Sequence, residues 1–233
     1  APTAKSRACF AIRLALPAVV AGDTTIRDVA LTASPNGGAW DIKSFNAALP
    51  GRTKLEASGK LGLGEKFGFS GNLLLASNQP TGLAVWLTGS ADTSVRQLAA
   101  FGLAAKVNLT RGQQSFENAE LTLGNTTLNG QFTRRGDGAT PSLAASFGGG
   151  AISLDDLSAL TFAMAGGKGT GLLTGHDLDV ALKAGPVKAL GLEAEALDAA
   201  VRLHGGKLDI DRFLVTGLGG ASISATSDLN GFP

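Results

Sequence analysis

The chain reads as a mainly β protein: an elongated, curved antiparallel β-sheet, groove-like or taco-like, built from repeated hairpin units with one or two short helices. Three observations predict it. Apolar and polar residues alternate with period two through most of the 233 residues, as expected of strands with one buried and one wet face. Glycine-containing turn signals interrupt the alternation at short intervals. The composition, with 33 Gly, no Tyr, one Met and 44% hydrophobic residues, suits many short strands and tight turns better than helices.

The cleanest alternation covers residues 54–63, where Leu55, Ala57, Gly59, Leu61 and Leu63 alternate with Lys54, Glu56, Ser58, Lys60 and Gly62. Leu103, Ala105, Val107 and Leu109 alternate in the same way with Ala104, Lys106, Asn108 and Thr110. Leu178, Val180 and Leu182 do so against Asp177, Asp179 and Lys183, and Ala221, Ile223 and Ala225 against Ser222, Ser224 and Thr226. Such one-sided strands belong to antiparallel sheets with a solvated face. Turn signals at Pro35-Asn36-Gly37-Gly38, Pro50-Gly51, Arg111-Gly112, Gly124-Asn125, Gly136-Asp137-Gly138 and His204-Gly205-Gly206 join them into a meander.

Two stretches carry apolar residues at spacings of three and four instead. In residues 83–101, Leu83, Trp86 and Leu87, then Val95, Leu98, Ala99 and Phe101, predict one or two short amphipathic helices, with Ser90 or Asp92 available as a cap. A second short helix is expected near Ser153, where Asp156 completes a capping-box-like pattern ahead of Leu157 and Leu160. Breaks are expected at Pro80, Pro141, 148–150 and 166–171.

Three segments, starting at Leu31, Val107 and Val201, each read strand, Gly turn, strand, short break, strand, with Trp40, Phe116 and Leu208 as equivalent apolar anchors. Their unequal spacing argues against a propeller or a strict solenoid. It fits one extendable sheet with approximate units 12–80, 81–150 and 151–233 in a single repeat-built region.

Charge and motifs exclude several functions. Twenty Lys and Arg face nineteen Asp and Glu, for a formal net charge of +1, so there is no electrostatic footprint for nucleic acid. Cys9 is the only cysteine and forms neither an internal disulfide nor a CxxC site. His176 and His204 flank turn glycines and lack metal-ligand spacing. The acids of Asp155-Asp156, Asp177-x-Asp179 and Asp209-x-Asp211 read as solvated strand or helix faces, without the loop of a calcium site. The stretch from Gly167 to Gly171 departs from a phosphate loop, and Gly68-Phe69-Ser70-Gly71 from a nucleophile elbow. The sequon matches at Asn108 and Asn125 read as ordinary strand and turn residues. No catalytic residue, metal or cofactor is assigned. The apolar stretch 14–21 contains Pro17 and is shorter than the ~20 residues a membrane span needs. A start at Ala1 and an abrupt end at Pro233 point to a piece of a longer protein.

Two short helices cannot cover the apolar face of so long a sheet. The sheet either packs on itself as a sandwich or forms a trough whose interior holds an apolar ligand. Its small interior residues leave room for an acyl chain, or allow tight packing.

The stretches "AGDTTIRDVALTASPNGGAWDIKSFNAALPGRTKLEASGKLGLG", "GFSGNLLLASNQPTGLAVWL" and "LAAFGLAAKVNLTRGQQSFENAELTLGNTTLNGQF" resemble the AsmA family of bacterial envelope proteins, relatives of TamB and YhdP. "GLLTGHDLDVALKAG" and "AAVRLHGGKLDIDRFLVTGLGGASISATSDL" resemble a further unit. The resemblance implies a non-enzymatic protein of the periplasm, anchored in the inner membrane by a segment not present in this chain. Its β-groove would conduct phospholipid, or another acyl-chain ligand, toward the outer membrane and serve outer-membrane biogenesis. Contact with the inner and outer membranes would run through parts outside this fragment. The groove lining expected is Leu55, Leu61, Leu63, Leu103, Val107, Leu109, Leu121, Leu123, Leu128, Phe132, Val201, Leu203, Leu208, Ile210 and Ile223. Two alternatives stay open: a structural or adhesive β-rod with a dry core, and an unrecognised carbohydrate-binding or hydrolase β-domain.

Overall fold

The computed structural model describes residues 10–22, 24–89, 99–136, 138, 140–158 and 177–231. Alternating residues and hairpin turns build a meander that opens with β1 (Ile12–Ala21), β2 (Thr24–Asn36), β3 (Ala39–Leu49), β4 (Thr53–Gly62) and β5 (Gly68–Ser77). It continues through β6 (Phe101–Thr110), β7 (Gln113–Leu123), β8 (Thr126–Arg135) and β9 (Ser142–Gly149). After β10 (Ile152–Ser153) come β11 (Asp177–Ala184), β12 (Val187–Ala189), β13 (Leu192–Ala194), β14 (Ala196–His204), β15 (Lys207–Leu218) and β16 (Ala221–Asn230). Thirteen strands form one open sheet in the order β1 to β9, β11, β14, β15, β16, while β10, β12 and β13 make a small second sheet. The large sheet is antiparallel throughout except at β9–β11, which pair in parallel.

Turn chemistry sets the hairpins. Gly37-Gly38, Gly205-Gly206 and Gly219-Gly220 each place two successive residues at positive φ, between 55° and 87°. That geometry matches the right-handed twist of the flanking strands, and glycine adopts it without steric cost.

The three repeated segments correspond to β2–β3–β4, β6–β7–β8 and β14–β15–β16, and in each the middle strand is bulged. Pairing slips between Ile42 and Phe45, between Phe116 and Ala119, and between Ile210 and Phe213. The inserted pairs are Lys43-Ser44, Glu117-Asn118 and Asp211-Arg212, always polar between two apolar residues. One extra residue per bulge keeps the flanking apolar side chains on the same face and increases the local twist. The bulges also correct the anchors: Ile42, Phe116 and Ile210 are equivalent, and Trp40 corresponds to Gln114 and Leu208.

The expected helix over 83–101 is α1 (Pro80–Thr88), which begins with Pro80 in its first turn and ends at Gly89 in the left-handed region. Proline lacks an N–H, which costs nothing in a first turn, so Pro80 starts the helix instead of breaking the chain. Residues 90–98, with Ser90, Asp92, Val95 and Leu98, lie outside the described residues, and Phe101 belongs to β6. The second helix begins as expected: residues 154–158 are helical and Ser153 Oγ accepts the Asp156 N–H at 3.1 Å.

Helix α1 sits against the β3–β4 turn through two glycines. A Cβ at Gly82 would stand 2.8 Å from the Gly51 Cα, and one at Gly51 would stand 2.3 Å from the Gln79 carbonyl oxygen. Beneath this contact the buried Thr53 hydroxyl donates to Ser77 Oγ at 2.8 Å, and the Ser77 hydroxyl donates to the Gly51 carbonyl at 3.1 Å. Both buried hydroxyls are thereby satisfied. Leu83 and Ala84 of α1 and Ile152 and Val187 of the small sheet join Phe101, Leu121, Leu123, Leu128, Ala184 and Leu197 in one core. These cover elements attach at the ends of β5, β9 and β11, so they lie along one margin of the large sheet.

Asn118 holds its bulge at φ 49°, where a β-branched side chain clashes with its own backbone. Asn118→Val should lower unfolding stability in urea by ~1–2 kcal/mol, whereas Asn118→Gly should leave it within ~0.5 kcal/mol of the parent.

Candidate functional site

Register decides which side chains share a face. One row runs Ala47, Leu55, Leu75, Leu103, Leu121, Leu128, Gly149, Ala184, Leu197, Val215, Ile223 across eleven strands. A parallel row contains Val107, Phe116, Phe132, Val180, Val201 and Ile210. A third contains Trp40, Leu61, Phe69, Leu109, Leu178, Leu203 and Leu208. Leu123 faces the same way, opposite Phe101. Fourteen of the fifteen expected groove positions therefore lie on one face. Leu63 does not: β4 ends at Gly62, and Leu63 precedes a single 3-10 turn over Gly64–Lys66, 48% exposed. Leu63 keeps an extended backbone, and Gly64, at φ 67°, turns the chain away from the sheet directly after it.

This face is packed in some places and open in others. Along the covered margin Leu128 is 1% exposed, and midway along the strands Val107 is 2% and Ala119 1% exposed. Phe69, Leu73, Phe116 and Phe147 close over the latter two, and the Phe116 and Phe132 rings meet at 5.8 Å. Toward the last strands the cover gives out, leaving Val180 37% and Ile223 46% exposed. A polar pair interrupts the third row: Gln114 faces Arg134, whose Nη1 donates to Gln114 Oε1 at 3.2 Å. Sequence reasoning missed both residues: the bulge at Glu117-Asn118 puts Gln114 on the apolar face, and Arg134 is a charged residue in the same phase as Leu128 and Phe132.

The opposite face is polar. Arg202 grips Asp211 through Nε at 2.6 Å and Nη2 at 2.5 Å, and Arg212 Nε donates to Asp198 at 2.7 Å. Lys207 lies 2.6 Å from Asp209, and His204 Nδ1 lies 3.5 Å from Asp177. Asp211 thus pairs across to β14 and Asp209 with Lys207 of its own strand, while Asp177 accepts the Gly205 N–H at 3.2 Å. The hydrogen bond from Arg202 holds the Asp211 carboxyl below its ordinary range, and Lys207 does the same for Asp209. Among the described residues no three His, Cys, Asp or Glu converge as metal ligands, and no helix is long and apolar enough to cross a membrane. Cys9, His176 and 166–171 lie outside the described residues.

Two concavities occupy this polar face. The first, of about 650 Å³, spans β3 to β7 with a floor at Phe45, Ala57, Leu73 and Ala105. The second, of about 660 Å³, continues from β7 to β11 over Ala119, Gly130 and Phe147. Their floors belong to one cross-strand row and both touch Asn118. Together they form a single valley between two rows of side chains, which period-two reading treats only as a wet surface.

Compared with known proteins, the chain matches no family model, no curated protein and no solved structure.

Asp211 contributes stability above its unfolded pKa and loses it as pH falls through the lower folded value. Urea unfolding at neutral pH and at about pH 3 should therefore show a smaller acid destabilisation for Asp211→Asn than for the parent. An equal drop would mean that the exposed pair is screened out.

Proposed function

We propose that the chain is a non-enzymatic, AsmA-like β-groove that binds and conducts phospholipid in the bacterial periplasm, toward and for the biogenesis of the outer membrane. The carrying observation is the apolar face itself. Fourteen positions named for a groove share one side of a thirteen-stranded open sheet, and among the described residues the helices and the small sheet cover one margin of it. Apolar surface left in water costs roughly 25 cal/mol per Å², and acyl chains laid across the strands would relieve that cost at roughly 0.8 kcal/mol per buried CH₂. An inner-membrane anchor and the endpoints of transport would be supplied by segments outside this chain. Among the described residues no catalytic constellation competes with this reading, since the carboxylates at 209 and 211 are tied up in ion pairs and Asp177 accepts the Gly205 N–H.

A structural rod with a dry core is the second reading, and the near-complete burial of Val107, Ala119 and Leu128 favours it. One experiment separates the two. The protein is expressed in a bacterial periplasm, purified without detergent, and its organic extract is analysed by mass spectrometry. Stoichiometric phospholipid, absent from a similarly handled control protein, is the expected result. Leu109→Asp places a charge at a half-buried position on this face, beside the Val107 cluster, and should cut that load at least tenfold while the circular dichroism spectrum stays β. A clean extract from folded protein would leave the rod.

A further inference from the structure

The polar valley lies on the other side of the sheet and plays no part in lipid binding. We propose that it is a binding site for a linear, uncharged, polyhydroxylated polymer, a β-linked glycan chain.

Shape is the first argument. Successive strands stand ~4.8 Å apart, and the valley touches β3 through β9 and β11, so it runs for roughly 35 Å across the sheet. It is a channel for an extended chain, not a pocket for a small molecule. The bulges at Lys43-Ser44 and Glu117-Asn118 supply the extra twist along its course.

Chemistry is the second. One wall is polar on each strand from β4 to β9, with Ser58, Asn72, Lys106, Asn118, Gln131 and Ser146 in succession. Amides and hydroxyls both donate and accept, as vicinal sugar hydroxyls require. The amides of Asn72, Asn118 and Gln131 have no side-chain hydrogen bond among the described residues, so their capacity is available. Charge is sparse and balanced. Lys43, Lys106 and Lys183 stand with Glu56 and Glu120, Glu56 pairs with Lys54, and Lys183 lies 3.9 Å from Asp198. A polyanion would find no continuous basic track here.

Periodicity is the third. Each strand contributes one rung, and the strand spacing is close to the length of one sugar in an extended β-linked chain. Successive sugars can then each meet a hydrogen-bond donor, and an acceptor as well at every rung but Lys106. Phe45 and Phe147 line the floor with their register turned to the apolar face, so among the described residues no ring stacks on the chain, each contact is weak, and affinity has to accumulate along it.

The test uses cellulose- and chitin-derived oligosaccharides titrated into the protein by calorimetry. The hexasaccharide of at least one series should bind saturably, and its disaccharide at least tenfold more weakly. Asn72→Leu combined with Gln131→Leu changes two exposed side chains and should weaken the hexasaccharide about tenfold or more, with an unchanged circular dichroism spectrum. Leu109→Asp, on the opposite face, should bind glycan like the parent, so failure of the lipid reading and failure of this one are distinguishable. Absence of saturable binding by folded protein, binding that ignores the double substitution, or preference for heparin over both neutral series would each overturn the proposal.

Discussion

Everything in this molecule rests on cross-strand register. Side chains in a strand alternate faces strictly, so a slip of one residue would carry a strand's apolar set into water. One apolar row crosses eleven strands in phase, and the bulges of the three repeated units preserve it. In Ile42-Lys43-Ser44-Phe45, Phe116-Glu117-Asn118-Ala119 and Ile210-Asp211-Arg212-Phe213, two polar residues occupy one place in the ladder. Apolar residues resume on the face they left. The chain gains twist without losing the separation of its two faces.

That separation makes the sheet a two-sided object. On one side, packing is dense where α1 and the small sheet lie over Leu121, Leu123 and Leu128, and thins toward β16. On the other, arginine–carboxylate pairs stitch β14 to β15, and hydroxyl and amide side chains occupy the middle strands. The ion pairs are exposed, so their effect is to fix the geometry of neighbouring strands more than to add stability. The covered margin supplies what a one-layer sheet lacks, a second layer that excludes water.

Much of this was legible in the sequence, and the exceptions have physical causes. Alternation located β4, β6, β11 and β16, and paired glycines located hairpin turns, because both signals are local. The Ser153 cap was legible for the same reason. Pro80 was misread because a proline that ends one segment and a proline that opens a helix look alike until the helix is seen. Leu63 continued a pattern whose strand had already ended. The bulges escaped notice because apolar residues three apart break period two without announcing a turn. The parallel pairing of β9 with β11, and the docking of α1 on Gly51, depend on contacts between distant segments, which no local pattern encodes. The polar valley needed the register of eight strands before its two walls could be drawn.

The parallel junction has a consequence for how the chain reaches this structure. From β1 to β9 every strand pairs with the one before it, so the sheet can grow by successive hairpins, each closing a short loop or, at α1, a modest one. β11 breaks that sequence: it must align with β9 after the intervening residues 150–176, and only then can β14 to β16 extend the edge. Non-local closure of this kind is slow. Folding should proceed as growth, a pause at β9, and renewed growth. During the pause the edge of β9 stands unpaired, which makes it the place where a second, incompletely folded chain would attach.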